Sequence, residues 1–216
     1  MSQAALPSTI AAAVDHELVI KKSRFLAHLA PVSSVAEADA VVARVRKGSW
    51  DARHHCVALV VGPHAEQQRS TDDGEPSGTA GVPMLEVLRH RAVTDVVAVV
   101  TRYFGGVLLG AGGLVRAYSS AVSETLDRAR VVRRQVLTEV MLEVPHADAG
   151  RLDNVLREWA AQHGAVLGGT EYGAAARFTL LVPPDAVARL ADDVAAATAG
   201  ALVPRPGASR VVDVPA

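Results

Sequence analysis

Strand-like and helix-like patterns alternate along this chain in a way that predicts an α+β protein of two domains. Its 216 residues hold one large or two ordinary domains, and 50% apolar with 21% charged residues is the composition of a globular chain with a core. Near Val131 to Gln135 the pattern resets, placing the boundary close to Arg134, with residues 1–134 as one domain and 135–216 as the other.

The segments follow in order. Before Leu18 a loose start is expected. Leu18 to Ala30 alternates enough for strands, with Lys21, Lys22, Ser23 and Arg24 between or along them. Ser33 or Ser34 then caps a helix on which Val35, Ala38, Val42 and Val45 recur at helical spacing, with Gly48 ending it and Arg44, Arg46 and Lys47 in its last turn. Cys56 to Val61 is a buried strand. Gly62 to Val82 is polar and turn-rich, which predicts a loop of about twenty residues, a length usually reserved for function. Pro83 opens a helix to about His90. Val93 to Arg102 is a strand whose apolar run implies cover on both faces. Five glycines, Gly105, Gly106, Gly110, Gly112 and Gly113, lead into a helix over about Leu114 to Arg130.

Beyond the reset, Leu137 to Val144 reads as a strand and Ala149 to Gln162 as a helix. Ala165 to Tyr172 with Ala174 to Val182 form a hairpin across Gly173. Pro184 to Thr198 is a helix, and Ala201 to Val203 with Val211 to Val214 a last strand. That order, β-α-β-β-α-β, is the ferredoxin-like arrangement.

Composition excludes several classes. The apolar run Val96 to Val100 is far too short for a bilayer span, and no basic region precedes the N-terminal alanines, so neither a membrane helix nor a secretory signal is expected and the cytoplasm is the expected compartment. A single cysteine, Cys56, rules out an intramolecular disulfide and a thiolate cage. Residues 1–135 carry 16 Lys+Arg against 13 Asp+Glu, while residues 136–216 carry 6 against 10, so the mildly basic part is the first. Such an excess is compatible with RNA without the strong stripe that would demand it.

Two stretches carry the chemistry. Thr71 to Ala80 packs three acids, three hydroxyls and two glycines into ten residues, more polarity than a core needs. Asp72, Asp73 and Glu75, with Thr71, Ser77 or Thr79, can gather a hard cation, but Gly74 and Pro76 also make a natural tight turn, the favoured reading in the absence of a calcium-loop pattern. Gly74-Glu-Pro-Ser77-Gly78 has the wrong spacing for a nucleophile elbow. The second stretch, Val96 to Ser120, joins strand to helix through glycine, the usual anion-receiving corner. No Lys-Ser or Lys-Thr closes a phosphate loop, and Val115 stands where a dinucleotide fingerprint needs a small residue, so no nucleotide cofactor is expected. Backbone amides at Gly105, Gly106, Gly112 and Gly113 can still hold an RNA phosphate, with Arg102 and Arg116 as donors and Tyr103 or Phe104 as a stacking face. The competing reading makes Phe104 and Leu114 core and the glycines close-packing devices. His54, His55 and Cys56 are consecutive on a strand and point to alternate faces, so no zinc site is expected. Arg128, Arg130, Arg133 and Arg134 complement a helix end and solvate a linker.

Asp72 to Leu85, DDGEPSGTAGVPML, and Val99 to Val122, VVTRYFGGVLLGAGGLVRAYSSAV, resemble the YigZ/IMPACT family. The likeness extends more loosely through Lys22 to Phe25 and Ala52 to Cys56, covering about Leu18 to Arg130. It implies a first domain like the second domain of a small-subunit ribosomal protein, shared with elongation-factor domain IV, and a ferredoxin-like second domain. Eukaryotic members restrain a starvation-responsive translation-control kinase by competing for its activator, and two-domain bacterial members look like nucleic-acid or ribosome binders. No catalytic residue carries over. The expectation is a non-enzymatic translation-associated protein without cofactor, binding RNA, the ribosome or a protein partner through Asp72, Asp73, Glu75, Ser77, Thr79, Arg102, Tyr103, Gly105, Gly106, Gly112, Gly113 and Arg116. The alternative is a divalent-metal hydrolase or transferase using Asp72, Asp73 and Glu75.

Overall fold

A computed structural model describes residues 6–214. The chain divides into two compact units, one reaching Arg134 and taking back Val214, the other Gln135–Asp213. Among the described residues, five helices and two sheets make an α+β protein. No helix is long and apolar enough to cross a membrane.

In the first unit, β2 (Val14–Ile20), β3 (Ser23–Pro31), β4 (His54–Val61), β5 (Gln67–Thr71) and β6 (Val96–Tyr103) form an antiparallel sheet in the order β2-β3-β6-β4-β5. Alternation feeds two cores. Phe25, Ala27, Leu29, Cys56, Ala58, Val96, Ala98 and Val100 pack under α2 (Gly81–His90) and α3 (Ala111–Leu126), through Met84, Leu88, Leu114, Tyr118 and Val122. Val57, Leu59, Val61, Val97 and Val99 face α1 (Val35–Gly48), through Ala38 and Val41. Helices on both sides bury β4 and β6 on both faces, the cause of their unbroken apolar runs. Ser34 caps α1 by accepting from Glu37 N at 3.2 Å.

Three expectations need correction here. The long loop contains β5, whose sequence QQRST lacks an apolar alternation because it is an edge strand with exposed side chains. The loose start lies outside the described residues up to position 5. From Ser8 it is held by Ser8 N to Ala92 O, by Thr94 N to Ser8 O, and by β1 (Thr9–Ile10), whose Ile10 is 1% exposed. The supposed linker at Val131 to Gln135 is strand: β7 runs Val131–Val144, and its first two residues pair with β1.

In the second unit, the later part of β7, α4 (His146–His163), β8 (Val166–Tyr172), β9 (Ala176–Val182), a 3-10 turn at Pro184–Ala186, α5 (Val187–Ala197) and β10 (Arg205–Val214) follow in the expected order, with strands β10-β7-β9-β8. One face carries the core, Val140, Leu142, Leu152, Leu156, Trp159, Phe178, Leu180, Leu190 and Val194. The last strand begins at Arg205, so Ala201 to Val203 is not part of it; Pro206 fits because β10 is an edge.

Candidate functional site

The acidic stretch is folded around its own carboxylates. Asp72 accepts from the backbone N–H groups of Gly78 (2.7 Å), Ala80 (3.0 Å) and Gly81 (2.8 Å), so it caps α2 from the preceding turn, where Ala80 offers no side-chain cap. Burial pushes its carboxyl up, but those three donors outweigh burial and hold it below the ordinary value. Asp73, at φ +44°, accepts from Arg46 Nη2 (2.7 Å) and from His55 N (2.7 Å). Glu75 accepts from Arg102 Nη1 at 2.7 Å and from the Tyr118 hydroxyl at 2.8 Å, with side-chain exposure of 3% for Glu75 and 8% for Arg102. Thr79 is buried and donates to Pro76 O, while Ser77 is exposed.

Each acid is thus engaged by a different part of the fold. Among the described residues no group of three or more His, Cys, Asp or Glu is placed to hold a metal ion. His54 Nδ1 lies 2.9 Å from Asp73 O and His55 Nδ1 lies 3.0 Å from Thr101 Oγ1. Burial lowers the His55 pKa against the upward pull of Asp73. Burial likewise pushes the Cys56 thiol up to about 12, despite Tyr118 nearby, and its Sγ donates to Asp72 O. Such a thiol is a packing group, not a nucleophile.

The acidic turn and the glycine corner do meet, at Glu75 with Arg102 and Tyr118, but that meeting point is inside the protein. Glu75 therefore braces the unit from within and cannot serve as an open lining, whereas Arg102, 7% exposed, braces it and still borders the neighbouring cleft. What faces outward is the next stretch. Phe104 is 56% and Leu108 83% exposed, whereas Leu114 is core, so the two readings of these residues divide between them. Gly105 donates its N–H to Ser23 Oγ at 3.1 Å, and a Cβ there would stand 2.0 Å from Lys22 C, so only glycine lets the corner sit on the β2–β3 hairpin. Gly106 is at φ +83° in open space. Gly112 and Gly113 lie in the first turn of α3, and a Cβ on Gly112 would meet nothing within 4 Å. Arg116 is exposed one turn further on.

Beside this corner is a cleft of about 480 Å³, lined among others by Arg53, His54, Arg102, Tyr103, Phe104 and Leu108. The Tyr103 hydroxyl donates to Asp51 at 2.9 Å across its rim. The Arg102 guanidinium lies 5.4 Å from the Phe25 ring centre and 5.7 Å from that of Phe104, and its Nε has no hydrogen-bond partner among the described residues. Arg53, Lys21, Lys22 and Arg116 are exposed and have no acid partner among the described residues.

Arg53, Leu108, Lys21 and Lys22 were not among the expected site residues. One signal did exist. Ile20 pairs with Ser23, so Lys21 and Lys22 are a two-residue hairpin loop, at φ +46° and +67°, where Asn-Gly is the usual choice.

Known proteins share both units. A family model described as the Impact N-terminal domain matches residues 21–126, and a domain of unknown function, DUF1949, matches 142–201. The chain is 49% identical over 150 residues to the IMPACT family member YvyE of Bacillus subtilis, covering 69% of each chain. To YigZ of Escherichia coli it is 51% identical over 126 residues, 57% of this chain and 62% of that one. Protein IMPACT of Bos taurus is 36% identical over 104 residues, so the chain spans about a third (32%) of its length. A solved crystal structure of a hypothetical protein superposes with a TM-score of 0.61 at 37% identity, covering 94% of this chain and 97% of that one.

Proposed function

The chain belongs to the IMPACT family, and from that membership we propose that it is a non-enzymatic, translation-associated binding protein of the cytoplasm that engages RNA or the ribosome through its first unit. On this reading the first unit shares the fold of the second domain of a small-subunit ribosomal protein and of elongation-factor domain IV, and the second unit is ferredoxin-like, in keeping with its β-α-β-β-α-β order.

One observation carries the proposal. Lys21, Lys22, Arg53 and Arg116, all exposed and without acid partners among the described residues, lie on the hairpin, cleft and helix of the glycine corner, where an aromatic side chain also faces solvent. Cations left uncompensated beside an exposed ring suit a phosphate backbone carrying unpaired bases. Asp72, Asp73 and Glu75 contribute by holding that surface in shape.

Filter binding to ribosomal RNA or tRNA tests this. Affinity is expected to fall steeply between about 50 and 200 mM salt, and Lys21→Glu, Lys22→Glu and Arg116→Glu together to weaken it by about tenfold or more at low salt. Arg102 is left intact because reversing a buried charge would unfold the unit. Affinity indifferent to salt and to the triple change overturns the proposal.

A further inference from the structure

We propose, building on the RNA-binding reading, that the cleft beside Arg53 and Phe104 is a one-nucleotide pocket for single-stranded RNA, with Phe104 stacking on the base and Arg53 and Arg102 holding the adjoining phosphate. The size, the walls and a buried donor of the cleft agree on this ligand. Its volume, about 480 Å³, lies within the usual range for small-ligand sites. It has room for one splayed-out nucleotide, while a duplex keeps its base faces stacked away from such a pocket.

The walls divide by chemistry. Phe104 and Leu108 are the apolar side, and their exposure of 56% and 83% leaves a ring and an aliphatic surface uncovered by anything in the unit. On the other side stand Arg53, exposed with no acid partner among the described residues, and Arg102. Arg102 is 7% exposed, its Nη1 is taken by Glu75, and its Nε is a buried donor with no acceptor among the described residues. A donor left unmet in the interior is costly and asks for an explanation. Phe104 supplies one. Its ring covers the guanidinium at 5.7 Å, so turning that ring toward a base uncovers Arg102 at the place where the base's phosphate would lie. Gly105, tied to Ser23, keeps the backbone fixed while the ring moves.

A second, independent observation is the hairpin seated on Gly105. Two lysines occupy left-handed positions, which are strained for residues with a Cβ, and neither has an acid partner among the described residues. The turn thereby sets two positive charges next to the proposed pocket.

The experiment uses the full chain and three probes: a fluorescein-labelled ten-nucleotide uridine RNA, a blunt RNA duplex of equal length, and uridine 5′-monophosphate. Fluorescence anisotropy is expected to show the single strand bound at least about tenfold more tightly than either other probe, because stacking and phosphate contacts both need an extended strand. Phe104→Ala is expected to weaken the single strand by about tenfold, Phe104→Trp to restore it, and Arg53→Ala to weaken it by about fivefold and flatten its salt dependence. Both sites are exposed, so thermal midpoints are expected to stay at the wild-type value, which separates lost binding from lost folding. Equal binding of duplex or of the mononucleotide overturns the pocket, as does a Phe104→Ala protein that binds like wild type. If the ten-mer binds and the variants change nothing, the pocket falls and the RNA reading stands; if neither ten-mer nor tRNA binds, both fall.

Discussion

Arg102 and Glu75 are a charged pair almost completely removed from water, at 8% and 3% side-chain exposure. Two desolvated charges gain little over a well-packed apolar pair, whereas removing one strands the other. Tyr118 adds a third group to the same carboxylate, and its ring packs edge-on against Phe25 at 5.2 Å, so the network ties the acidic turn to β6 and α3. Glu75→Ala is therefore expected to destabilise the first unit by about 3–5 kcal/mol, and Glu75→Leu with Arg102→Met to recover most of that loss. Urea unfolding of the three proteins checks this, and a single-mutant loss below about 1 kcal/mol would remove the brace from the account. None of it was legible in the sequence. Asp72, Asp73 and Glu75 read as one cluster because they are neighbours in the chain, but Asp72 caps the following helix while Asp73 and Glu75 meet distant cations, Arg46 and Arg102, each 27 positions away. A carboxylate that meets a distant cation looks, in the sequence, like one waiting for a ligand.

Elements with strong apolar periodicity were legible, and polar, very short or little-buried ones were not. The helices and the strands β4, β6 and β9 come through within a few residues because burial on one or both faces writes a period into the sequence, while β8, with no buried residue, comes through as the partner of β9 across Gly173. The polar strand β5, the two residues of β1 and the first part of β7 leave no such trace, being polar, very short or little buried; burial of Val131 to Gln135 alternates only between exposed and intermediate. The β2–β3 hairpin is the instructive middle case. Its strands were visible, but the loop broke the turn rules by using Lys21-Lys22 where Asn-Gly relieves the left-handed strain. Replacing the pair by Asn-Gly is expected to raise stability by about 1–2 kcal/mol while weakening tRNA binding by several-fold, a trade between fold and function. Denaturant midpoints and filter binding on one preparation read both halves. A variant neither more stable nor weaker in binding would show that the lysines are there for neither reason.

At the scale of the molecule, charge and proton chemistry are unevenly shared. Residues 1–135 carry the basic excess and residues 136–216 the acidic one, so an RNA would be drawn to the first unit. That unit also holds His55 and Asp72, two groups with lowered pKa values, one in the acidic turn and one on the strand that Asp73 ties to it. The signs follow from which state binds more protons. His55, buried with Thr101 and flanked by Asp73, Arg46, His54 and Asp51, stays neutral in the fold below its ordinary pKa of about 6.5, while the unfolded chain takes up the proton. Its contribution to stability is complete above that pH and is lost as pH falls toward the lowered folded value. Asp72 loses its contribution later, as pH drops below the ordinary carboxylate value of about 3.9 and through its depressed one. Acid should thus weaken the first unit in two stages, the first arising at His55. Hydrogen exchange at about pH 7.5 and about pH 5.5, on either side of the ordinary histidine value and corrected for intrinsic rates, is expected to show amide protection over His54–Val61 falling with pH, and His55→Gln to abolish that fall because glutamine does not titrate. If the fall persists unchanged in His55→Gln, the first stage belongs to another group and the histidine has no part in the acid response.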